Sequence, residues 1–374
     1  MRLVFAIKTL HHGRGGAERV LATVGGALAE RGHEVALVTF DAPGVSSFYP
    51  LHPGIRHTGL GIGDTSRRSG PVETLRRAIG LRRVLAEARP EVAVGFMHSA
   101  CVPLAMAALR RGTPLVFSEH IVPRHYRGRP LEYLAFIAAG LRAARITVLS
   151  ETIRGLYPRA MRRRMVAIPN PVSPLTPDRA DPKGRPGRRR VLLAVGRLEA
   201  QKDHETLIRA FAALAPRHPD WDLRIVGEGA LRPRLEAVAR SLGIAGRVAL
   251  AGVAEDVPAE YLGAQAFCVP SRYESFGLAT AEAMSAGLPA VGFADCPGTN
   301  ELIGDGVNGV LAGSGDRVDA LARALEPLLA DTALRARLGA AGPDAVRAYA
   351  PEAIVDRWEA LLREVAASTP GGGA

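Results

Sequence analysis

Two basic and two acidic residues in the second half of the chain have types and positions that suit a phosphorylated ligand. Arg197 and Lys202 follow the strand-like segment RVLLAVG, precede a predicted helix and have no local partner. Cations placed in this way could stabilise the negative charge that grows on a departing diphosphate. Glu274 and Glu282, with seven residues between them, lie around the start of another predicted helix. Carboxylates at these positions could accept hydrogen bonds from the paired hydroxyls of a ribose or another sugar.

The segment between the two acids predicts an anion site made by the backbone. A strand ends near Pro270 and a helix begins near Gly277. The N–H groups of Phe276, Gly277 and Leu278 would point at an anion, helped by the helix dipole, and Gly277 would allow close backbone approach. A plainer interpretation stays open on these residues alone. A surface glutamate followed by a glutamate that the helix dipole favours would give the same pattern.

The composition favours a globular protein that attracts phosphates. The chain has 374 residues, a hydrophobic fraction of 47% and a formal net charge of +11. Lysine occurs only at positions 8, 183 and 202, so Lys202 is a stronger candidate than any single arginine. A basic surface could attract nucleic acid, acidic lipid or a phosphorylated substrate. Aromatic residues make up only 5% and no RNA-binding or zinc-finger signature is present, so we do not expect a nucleic-acid partner.

Cysteine usage and hydropathy predict a cytoplasmic location. Cys101, Cys268 and Cys296 are far apart and give neither a disulfide framework nor the spacing of metal ligands. The N-terminal RLVFAI is strand-like, so no signal peptide is expected. The longest uncharged run, 92–109, contains a histidine and a proline. Because a membrane span needs about 20 continuous apolar residues, this run is predicted to be a buried strand followed by a helix.

Strand-like and helix-like segments alternate along the chain, which predicts parallel sheets covered by helices on both faces. Predicted strands of the first half lie at 2–7, 33–40, 91–96, 114–120, 145–150 and 166–172, and predicted helices at 15–32 and 73–88. A stretch rich in proline and charge follows, with no apolar periodicity. The alternation then restarts, with helices at 203–215 and 231–242.

This alternation predicts an α/β protein with two doubly wound, Rossmann-like domains. We expect an N-terminal domain at 1–172, a linker at 173–190, a C-terminal domain at 191–350, an amphipathic helix at 351–367 and a disordered tail at 368–374. A return to the N-terminal domain is one course open to the C-terminal helix. Ligands of such sheets bind beyond the carboxyl ends of the strands. Two parallel sheets facing across a cleft could hold a donor and an acceptor, and closure would exclude water.

In combination the motifs resemble the GT-B glycosyltransferases of family 4, which are retaining enzymes with a nucleotide-sugar donor. The similarity rests on VGRLEAQKD, ESFGLATAE and GLPAV, and it extends over nearly the whole chain. HGRGGAERV resembles the family's glycine-rich acceptor-side loop, and SEH at 118–120 resembles its histidine-bearing strand end. IPNPV at 168–172 matches the entry into the second domain, and CPGTNELIGDGVNGVLA is a variant of the loop after GLP.

The resemblance implies a role for each matching position. Arg197 and Lys202 would bind the diphosphate and stabilise its departure. Glu282 would hold the ribose, and Glu274 would contact the hydroxyls of the transferred sugar. The remaining implied positions are an acceptor-side loop at Gly15 and Gly16, further donor contacts from Gly16, Val253, Phe276, Gly277 and Leu278, and His120 near the anomeric carbon.

The implied chemistry uses neither a metal nor another cofactor. The resemblance implies that the leaving phosphate is the base for the incoming hydroxyl, on the same face of the sugar, whereas a retaining glycosidase needs two flanking carboxylates. Asp220-Trp221-Asp222 matches the D-x-D pattern of metal-dependent transferases. It precedes a strand, so we interpret it as a turn, with a metal site as the alternative. His11 and His12 have no third ligand nearby.

The resemblance favours UDP in the donor, with GDP or ADP open, and a hexose or N-acetylhexosamine as the sugar. We expect a lipid-linked saccharide of polysaccharide or glycan biosynthesis as acceptor, reached from the anionic inner face of the cytoplasmic membrane. Docking would use the helix at 73–89, whose apolar face would be formed by Leu75, Ile79, Leu81, Val84 and Leu85 among five arginines. The alternative is that this stripe packs against the sheet.

Three other functions stay open at this point. The first is a transferase with a soluble small-molecule acceptor. The second is a UDP-sugar epimerase of the same architecture, which incubation with donor alone would reveal. The third is a non-catalytic basic binding protein, which would show no specific response to UDP.

Overall fold

The structure, a computed structural model, describes residues 1–11, 15–174, 178–184 and 187–368. His12 and all but the first residue of the predicted tail lie outside these ranges. The described chain separates into two compact units. The first contains the residues up to Pro171 together with the segment that begins at Pro351, and the second contains Val172–Ala350.

The strands of the first unit form one parallel sheet. They are β1 (Arg2–Ala6), β2 (Glu34–Thr39), β3 (Ile55–Gly59), β4 (Val92–Phe96), β5 (Leu115–Ser118), β6 (Arg145–Val148) and β7 (Met165–Ala167). Their order across the sheet is β3-β2-β1-β4-β5-β6-β7. Every residue of β4 and β5 is buried, because helices cover a parallel sheet on both faces.

The helices of the first unit that precede the second unit are α1 (Gly16–Glu30), α2 (Pro71–Ala88), α3 (His98–Ala107), α4 (Pro130–Gly140), α5 (Glu151–Gly155) and α6 (Arg159–Arg162). A 3-10 turn at Pro123–Tyr126 connects β5 to α4. α3 packs between α2 and α4. Among the described residues, none of the helices combines the length and the apolar character that spanning a bilayer requires.

The structure divides the apolar stripe predicted on α2. Leu81 and Leu85 are buried in the unit, whereas Leu75 and Ile79 remain about half exposed to solvent. Arg77, one of the arginines expected at a membrane surface, is also buried and forms an ion pair and a cation–π contact inside the unit. The prediction of one apolar face from Leu75 to Leu85 is therefore wrong. The helix turns the two later leucines toward the sheet and the earlier residues away from it.

The strands of the second unit form a separate parallel sheet. They are β8 (Arg190–Val195), β9 (Trp221–Val226), β10 (Val248–Gly252), β11 (Ala266–Cys268), β12 (Ala290–Phe293) and β13 (Gly309–Ala312). Their order is β10-β9-β8-β11-β12-β13. The order reverses direction at β8 and β11, so the loops after these two strands diverge and leave a natural ligand position between them.

The helices of the second unit are α7 (His204–Leu214), α8 (Arg232–Ser241), α9 (Val257–Gly263), α10 (Leu278–Ser285), α11 (Thr299–Leu302), α12 (Arg317–Ala330) and α13 (Thr332–Val346). Apolar residues of α7 and α12 pack on the sheet around Trp221, which is fully buried. Both units are thus α/β with parallel sheets, as the alternation of segments predicts.

The last helix, α14 (Pro351–Ala367), packs in the first unit. Its apolar side contributes Ile354, Trp358 and Leu362 to the core of that unit. The Trp358 ring stacks on the ring of Phe96 in β4, with 5.9 Å between the centroids. The helix also contacts α1, so it completes one side of the first sheet.

Candidate active site

The structure brings Lys202 and Glu274 together at the carboxyl end of the second sheet. Lys202 lies in the loop between β8 and α7, and Glu274 in the loop between β11 and α10. The Lys202 Nζ donates to Glu274 Oε1 at 2.6 Å. The Ser271 hydroxyl donates to the same oxygen, also at 2.6 Å. Both charged side chains are largely buried, with 20% and 10% of their surface exposed, so water screens the pair only weakly.

Both predicted diphosphate cations have acidic partners. Only Arg197 has a local one, contrary to the expectation, since the partner of Lys202 lies 72 positions away in the sequence. Besides the Lys202 pair, Arg197 donates to Glu199 Oε1 at 2.9 Å. The Arg197 side chain is 61% exposed, so this second ion pair contributes little to stability. An exposed guanidinium two residues beyond β8 can leave Glu199 for a phosphate at small cost. The two predicted cations thus belong to one buried and one exposed ion pair.

A buried aspartate that the sequence analysis did not single out supports the lysine loop. Asp203, which precedes α7, has a positive φ of 51° and is 8% exposed. Its Oδ2 lies 3.0 Å from Arg272 and 3.3 Å from Arg317. Arg317 also donates to the carbonyls of Pro270 and Ser271 at 3.1 and 3.3 Å. Arg317 consequently ties the β8–α7 loop to the β11–α10 loop, which carry the two members of the ion pair.

His204, the first residue of α7, is buried beside the lysine loop. Burial, together with the nearby charge of Lys202, lowers the pKa of its imidazole to about 4. The ring is therefore neutral at pH 7 and adds no second positive charge next to Lys202.

The start of α10 combines a glycine turn with backbone N–H groups that have no partner among the described residues. Gly277 precedes the helix with a φ of 88°, a conformation that residues with a side chain rarely adopt. Among the described residues, none accepts a hydrogen bond from the N–H groups of Phe276, Gly277 or Leu278. Gly298 approaches this turn so closely that a Cβ atom there would lie 2.8 Å from the Phe276 nitrogen. A glycine in the CPGTN loop therefore allows the two loops to meet.

Glu282 lies inside α10 and is held by a residue of α9. The hydroxyl of Tyr261, a fully buried side chain, donates to Glu282 Oε2 at 3.0 Å. This bond fixes the orientation of the carboxylate, which is 9% exposed. Val253, another predicted donor contact, follows β10 and is 47% exposed. Glu282 and Val253 both belong to the second unit, the first inside α10 and the second directly after β10.

His120, which was predicted to lie near the anomeric carbon, is two positions beyond β5 in the first unit. Its ring stacks on Phe96 with 5.4 Å between the centroids, and its Nε2 lies 2.9 Å from the Ser118 hydroxyl. Thr147 donates to that hydroxyl, which leaves the Ser118 proton for the histidine. Burial lowers the pKa of His120 to about 4, so its ring is neutral. The buried Nδ1 has no hydrogen-bond partner among the described residues.

The preceding residue, Glu119, is a buried acid to which the SEH motif assigned no role. Its carboxyl group accepts hydrogen bonds from the Ile121 N–H at 2.8 Å and from the Tyr126 hydroxyl at 3.2 Å. Burial raises the pKa of Glu119 to about 8. The carboxyl group is therefore mostly protonated at pH 7, beside a neutral histidine.

The predicted acceptor-side glycines lie at the start of α1. Gly15 precedes the helix, and a Cβ atom at this position would lie 2.6 Å from the Glu18 carboxylate. The Tyr49 hydroxyl donates to the Gly15 carbonyl at 3.3 Å. Gly16 is the first helical residue. His11, close by in sequence, contacts the Ser46 carbonyl through Nδ1 at 3.2 Å.

The D-x-D segment lies at the amino end of β9, away from the edge that carries Lys202. Asp220 pairs with Arg190, and Asp222 pairs with Arg189 at 2.8 Å. These arginines already neutralise both carboxylates, which agrees with the turn interpretation. In the described part of the chain, no three His, Cys, Asp or Glu side chains group closely enough to hold a metal ion.

Comparison with known families identifies the chain. Residues 14–174 match the family model described as Glycosyltransferase Family 4, and residues 177–345 match the model described as Glycosyl transferases group 1. The two matches together span most of both units. The chain belongs to the group 1 glycosyltransferases of family 4, and it is a transferase with the GT-B fold.

Full-length relatives support this assignment. A protein of Campylobacter jejuni is 27% identical over 98% of this chain and 99% of its own length. It is named GalNAc-alpha-(1->4)-GalNAc-alpha-(1->3)-diNAcBac-PP-undecaprenol alpha-1,4-N-acetyl-D-galactosaminyltransferase. An uncharacterized glycosyltransferase of Haemophilus influenzae is 24% identical over 93% of this chain and 96% of its own.

Solved structures show the same fold. Sucrose-phosphate synthase from Thermosynechococcus elongatus has a TM-score of 0.86 at 22% identity, with 98% of this chain and 99% of that chain covered. HepE from Anabaena, solved in complex with UDP-glucose, has a TM-score of 0.81 at 20% identity, with 97% and 99% covered.

Proposed function

We propose that this protein is a retaining, metal-independent transferase that moves a hexose or N-acetylhexosamine from a UDP-sugar to a hydroxyl of a lipid-linked saccharide. The observation that carries the proposal is the buried Lys202–Glu274 pair, close in sequence to the unpaired N–H groups at the start of α10. A cation, a carboxylate and free backbone donors at one sheet edge match the parts of a nucleotide-sugar: diphosphate, sugar hydroxyls and phosphate oxygens.

In this proposal the bound donor replaces the carboxylate partners of Lys202 and Arg197. Lys202 and Arg197 turn from their carboxylate partners to the diphosphate and stabilise the charge that develops as the sugar–oxygen bond breaks. Glu274, released from Lys202, accepts hydrogen bonds from hydroxyls of the transferred sugar. Glu282, oriented by Tyr261, accepts from the ribose hydroxyls. The proton of the attacking hydroxyl passes to the leaving phosphate, so no protein base takes part.

The proposed substrates rest on relatives. HepE binds UDP-glucose in its solved complex, which supports a UDP-sugar as donor. The name of the Campylobacter jejuni protein places its acceptor saccharide on PP-undecaprenol, which supports a lipid-linked acceptor. The protein would then work at the inner face of the cytoplasmic membrane, bound to its surface and not inserted across it.

A panel of nucleotide sugars tests the proposal. UDP-glucose, UDP-galactose and their N-acetylated forms, with GDP- and ADP-sugars for comparison, are each incubated with the protein, first alone and then with short polyprenyl-diphosphate saccharides. We expect slow hydrolysis of one UDP-sugar alone and transfer when the acceptor is added. NMR of the product should show that the anomeric configuration of the donor is retained.

The same panel separates the alternatives. Epimerised donor without transfer would support the epimerase, and transfer only to small soluble acceptors would contradict the lipid-linked substrate. An inverted anomeric configuration would overturn the retaining mechanism. If no nucleotide sugar is turned over and UDP does not raise the melting temperature, the proposed donor is wrong.

A further inference from the structure

One side of helix α4 exposes apolar residues to solvent. Leu131 is 80% exposed, Leu134 59% and Leu141, just beyond the helix, 43%. Ala135 and Ala138 are exposed as well. Spacings of three, four, seven and ten residues place all five side chains on one side of a helix. We call this side the α4 face.

The α4 face belongs to a helix that is firmly packed on its other side. Phe136, Ala139 and Gly140 are buried, and the Phe136 ring stacks on Tyr126 with 6.2 Å between the centroids. Met161 of α6 lies so close to Gly140 that a Cβ atom there would meet its sulfur at 2.7 Å. The exposed leucines are therefore not the result of an unpacked helix. Within the described residues of the first unit, nothing covers them.

Arginines flank the α4 face at both ends. Arg127 lies exposed before the helix, and Arg142 lies exposed directly after it. The contact of Met161 with Gly140 also brings the exposed Arg162 and Arg163 near the end of the helix. α4 itself contains a single charged residue, a glutamate in the first turn. An apolar strip with cations at both ends is the arrangement of helices that lie in a bilayer interface.

Apolar residues are also exposed on α2, which α3 separates from α4. The Arg68 side chain, before α2, lies 3.8 Å from Glu132 in the first turn of α4. Near the start of α2, Val72 is 65% exposed and Leu75 is 51% exposed. Single exposed apolar residues are ordinary on a protein surface, but a group of them on one side of one helix, as on α4, indicates an interaction site.

We infer that the α4 face docks the protein on an anionic lipid bilayer, with the leucines in the acyl boundary and the flanking arginines among the lipid phosphates. The inference rests on the proposed function, because it names the surface from which a lipid-linked acceptor is reached. A second copy of the chain fits the face poorly. Two copies joined by the same face would bring their arginine groups together.

The α4 face is close in sequence to His120, the residue predicted to lie near the anomeric carbon. β5 ends at Ser118, His120 follows, and a short 3-10 turn leads directly into α4. In a parallel sheet the helix after a strand starts at the strand's carboxyl edge, so the exposed Leu131 and the ring of His120 belong to the same edge of the sheet. A headgroup-linked sugar at the bilayer surface would therefore be presented to the edge where the acceptor hydroxyl is needed.

Vesicle flotation tests the docking surface. Wild type is floated with phosphatidylcholine vesicles and with phosphatidylcholine–phosphatidylglycerol vesicles, beside L131E/L134E and the matched control L242E/V307E. The control places the same two charges on exposed apolar residues of the second unit. We expect wild type and control to float with the anionic vesicles. L131E/L134E should bind at least about tenfold more weakly, because it lacks two leucines that enter the bilayer on binding.

A second variant tests the charge. R127Q/R142Q should weaken binding to anionic vesicles by roughly fivefold per arginine at low salt, with little effect on neutral vesicles. Binding of L131E/L134E equal to wild type, or no binding of wild type to anionic vesicles, would overturn the docking surface. So would a wild-type dimer that L131E/L134E converts to a monomer in sedimentation. Donor hydrolysis without vesicles should be equal in all variants, and its absence in wild type would count against the proposed function instead.

Discussion

Each unit of the chain buries a carboxyl group beyond a strand of its parallel sheet, and the two differ in what surrounds the charge. Glu274 in the second unit has a lysine and a serine hydroxyl at 2.6 Å. Glu119 in the first unit receives a backbone N–H and a tyrosine hydroxyl. No cation pairs with Glu119 among the described residues, and burial raises its pKa to about 8.

The two buried carboxyl groups thus differ in whether a cation lies beside them. A buried carboxylate that keeps its charge needs a cation, and the pair can rearrange around a ligand that brings charges of its own. A buried acid without a cation takes up a proton instead. The second unit thus holds its buried carboxylate beside a lysine, whereas the first has a mostly protonated Glu119 beside a neutral His120.

The largest effect is expected from the cation of the buried pair. K202A should reduce turnover by about 10²-fold or more, because it removes a donor that stabilises the leaving group. R197A should do the same if the exposed arginine turns to the diphosphate as proposed. Steady-state kinetics with the best donor measures both, with K183A as the control for loss of an exposed lysine.

Wild-type turnover in either variant would remove that residue from the leaving-group role. The double variant K202A/E274Q tests whether the buried Glu274 needs its cation. K202A alone leaves Glu274 buried without its cation, so the melting temperature should fall, and the added glutamine should recover much of it without restoring turnover.

The two acids of the second unit should affect different kinetic constants. E282A should raise the apparent KM for the donor by about tenfold, since a contact to ribose is made equally before and during the reaction. E274A should lower kcat, since a contact to the reacting sugar can strengthen in the transition state. Titration with UDP checks the first assignment directly. Unchanged UDP affinity in E282A would show that Glu282 does not hold the ribose.

A smaller, pH-dependent effect is expected in the first unit. The pKa of Glu119 is raised from 4.5 to about 8, so its contribution to stability is fully present below pH 4.5 and is lost as the pH rises to about 8. E119Q, which cannot ionise, should therefore unfold much like wild type at low pH and at a higher temperature than wild type near pH 8. Thermal unfolding across this range measures the effect. Parallel curves for the two proteins would mean that Glu119 has an ordinary pKa.

The smallest effect is expected from metal removal. In the proposed function Arg197 and Lys202 neutralise the diphosphate in place of a metal. Turnover should therefore be unchanged, within error, after dialysis against EDTA. A loss that Mg²⁺ or Mn²⁺ restores would contradict this and would direct attention to Asp220 and Asp222.

The sequence predicts the parts of the candidate site that lie in short motifs and fails where partners are distant. Lys202 and Glu274 stand out because each belongs to a local pattern at a strand end. Their pairing is not predictable, since 72 positions separate them. The same holds for Tyr261, whose hydroxyl meets Glu282 from another helix, and for Arg317, which no pattern distinguishes among many arginines.

The fold is predictable where apolar residues form runs and is missed elsewhere. The buried strand VAVGF is recognised at once, whereas β3 at the sheet edge, IRHTG, buries only Ile55 and gives no such run. α4 was not predicted, because PLEYLAFIAAG is apolar on both its buried and its exposed sides. Without a polar face, helical periodicity is hidden.

The placement of α14 also sets the order in which the units can be completed during synthesis. The ribosome delivers chains from the N-terminus, so all of the second unit emerges before Trp358 can stack on Phe96. Until then the first sheet lacks the helix that covers part of its core, and the apolar residues that line this place stay open to water. The unit that is synthesised first is therefore the one that is completed last.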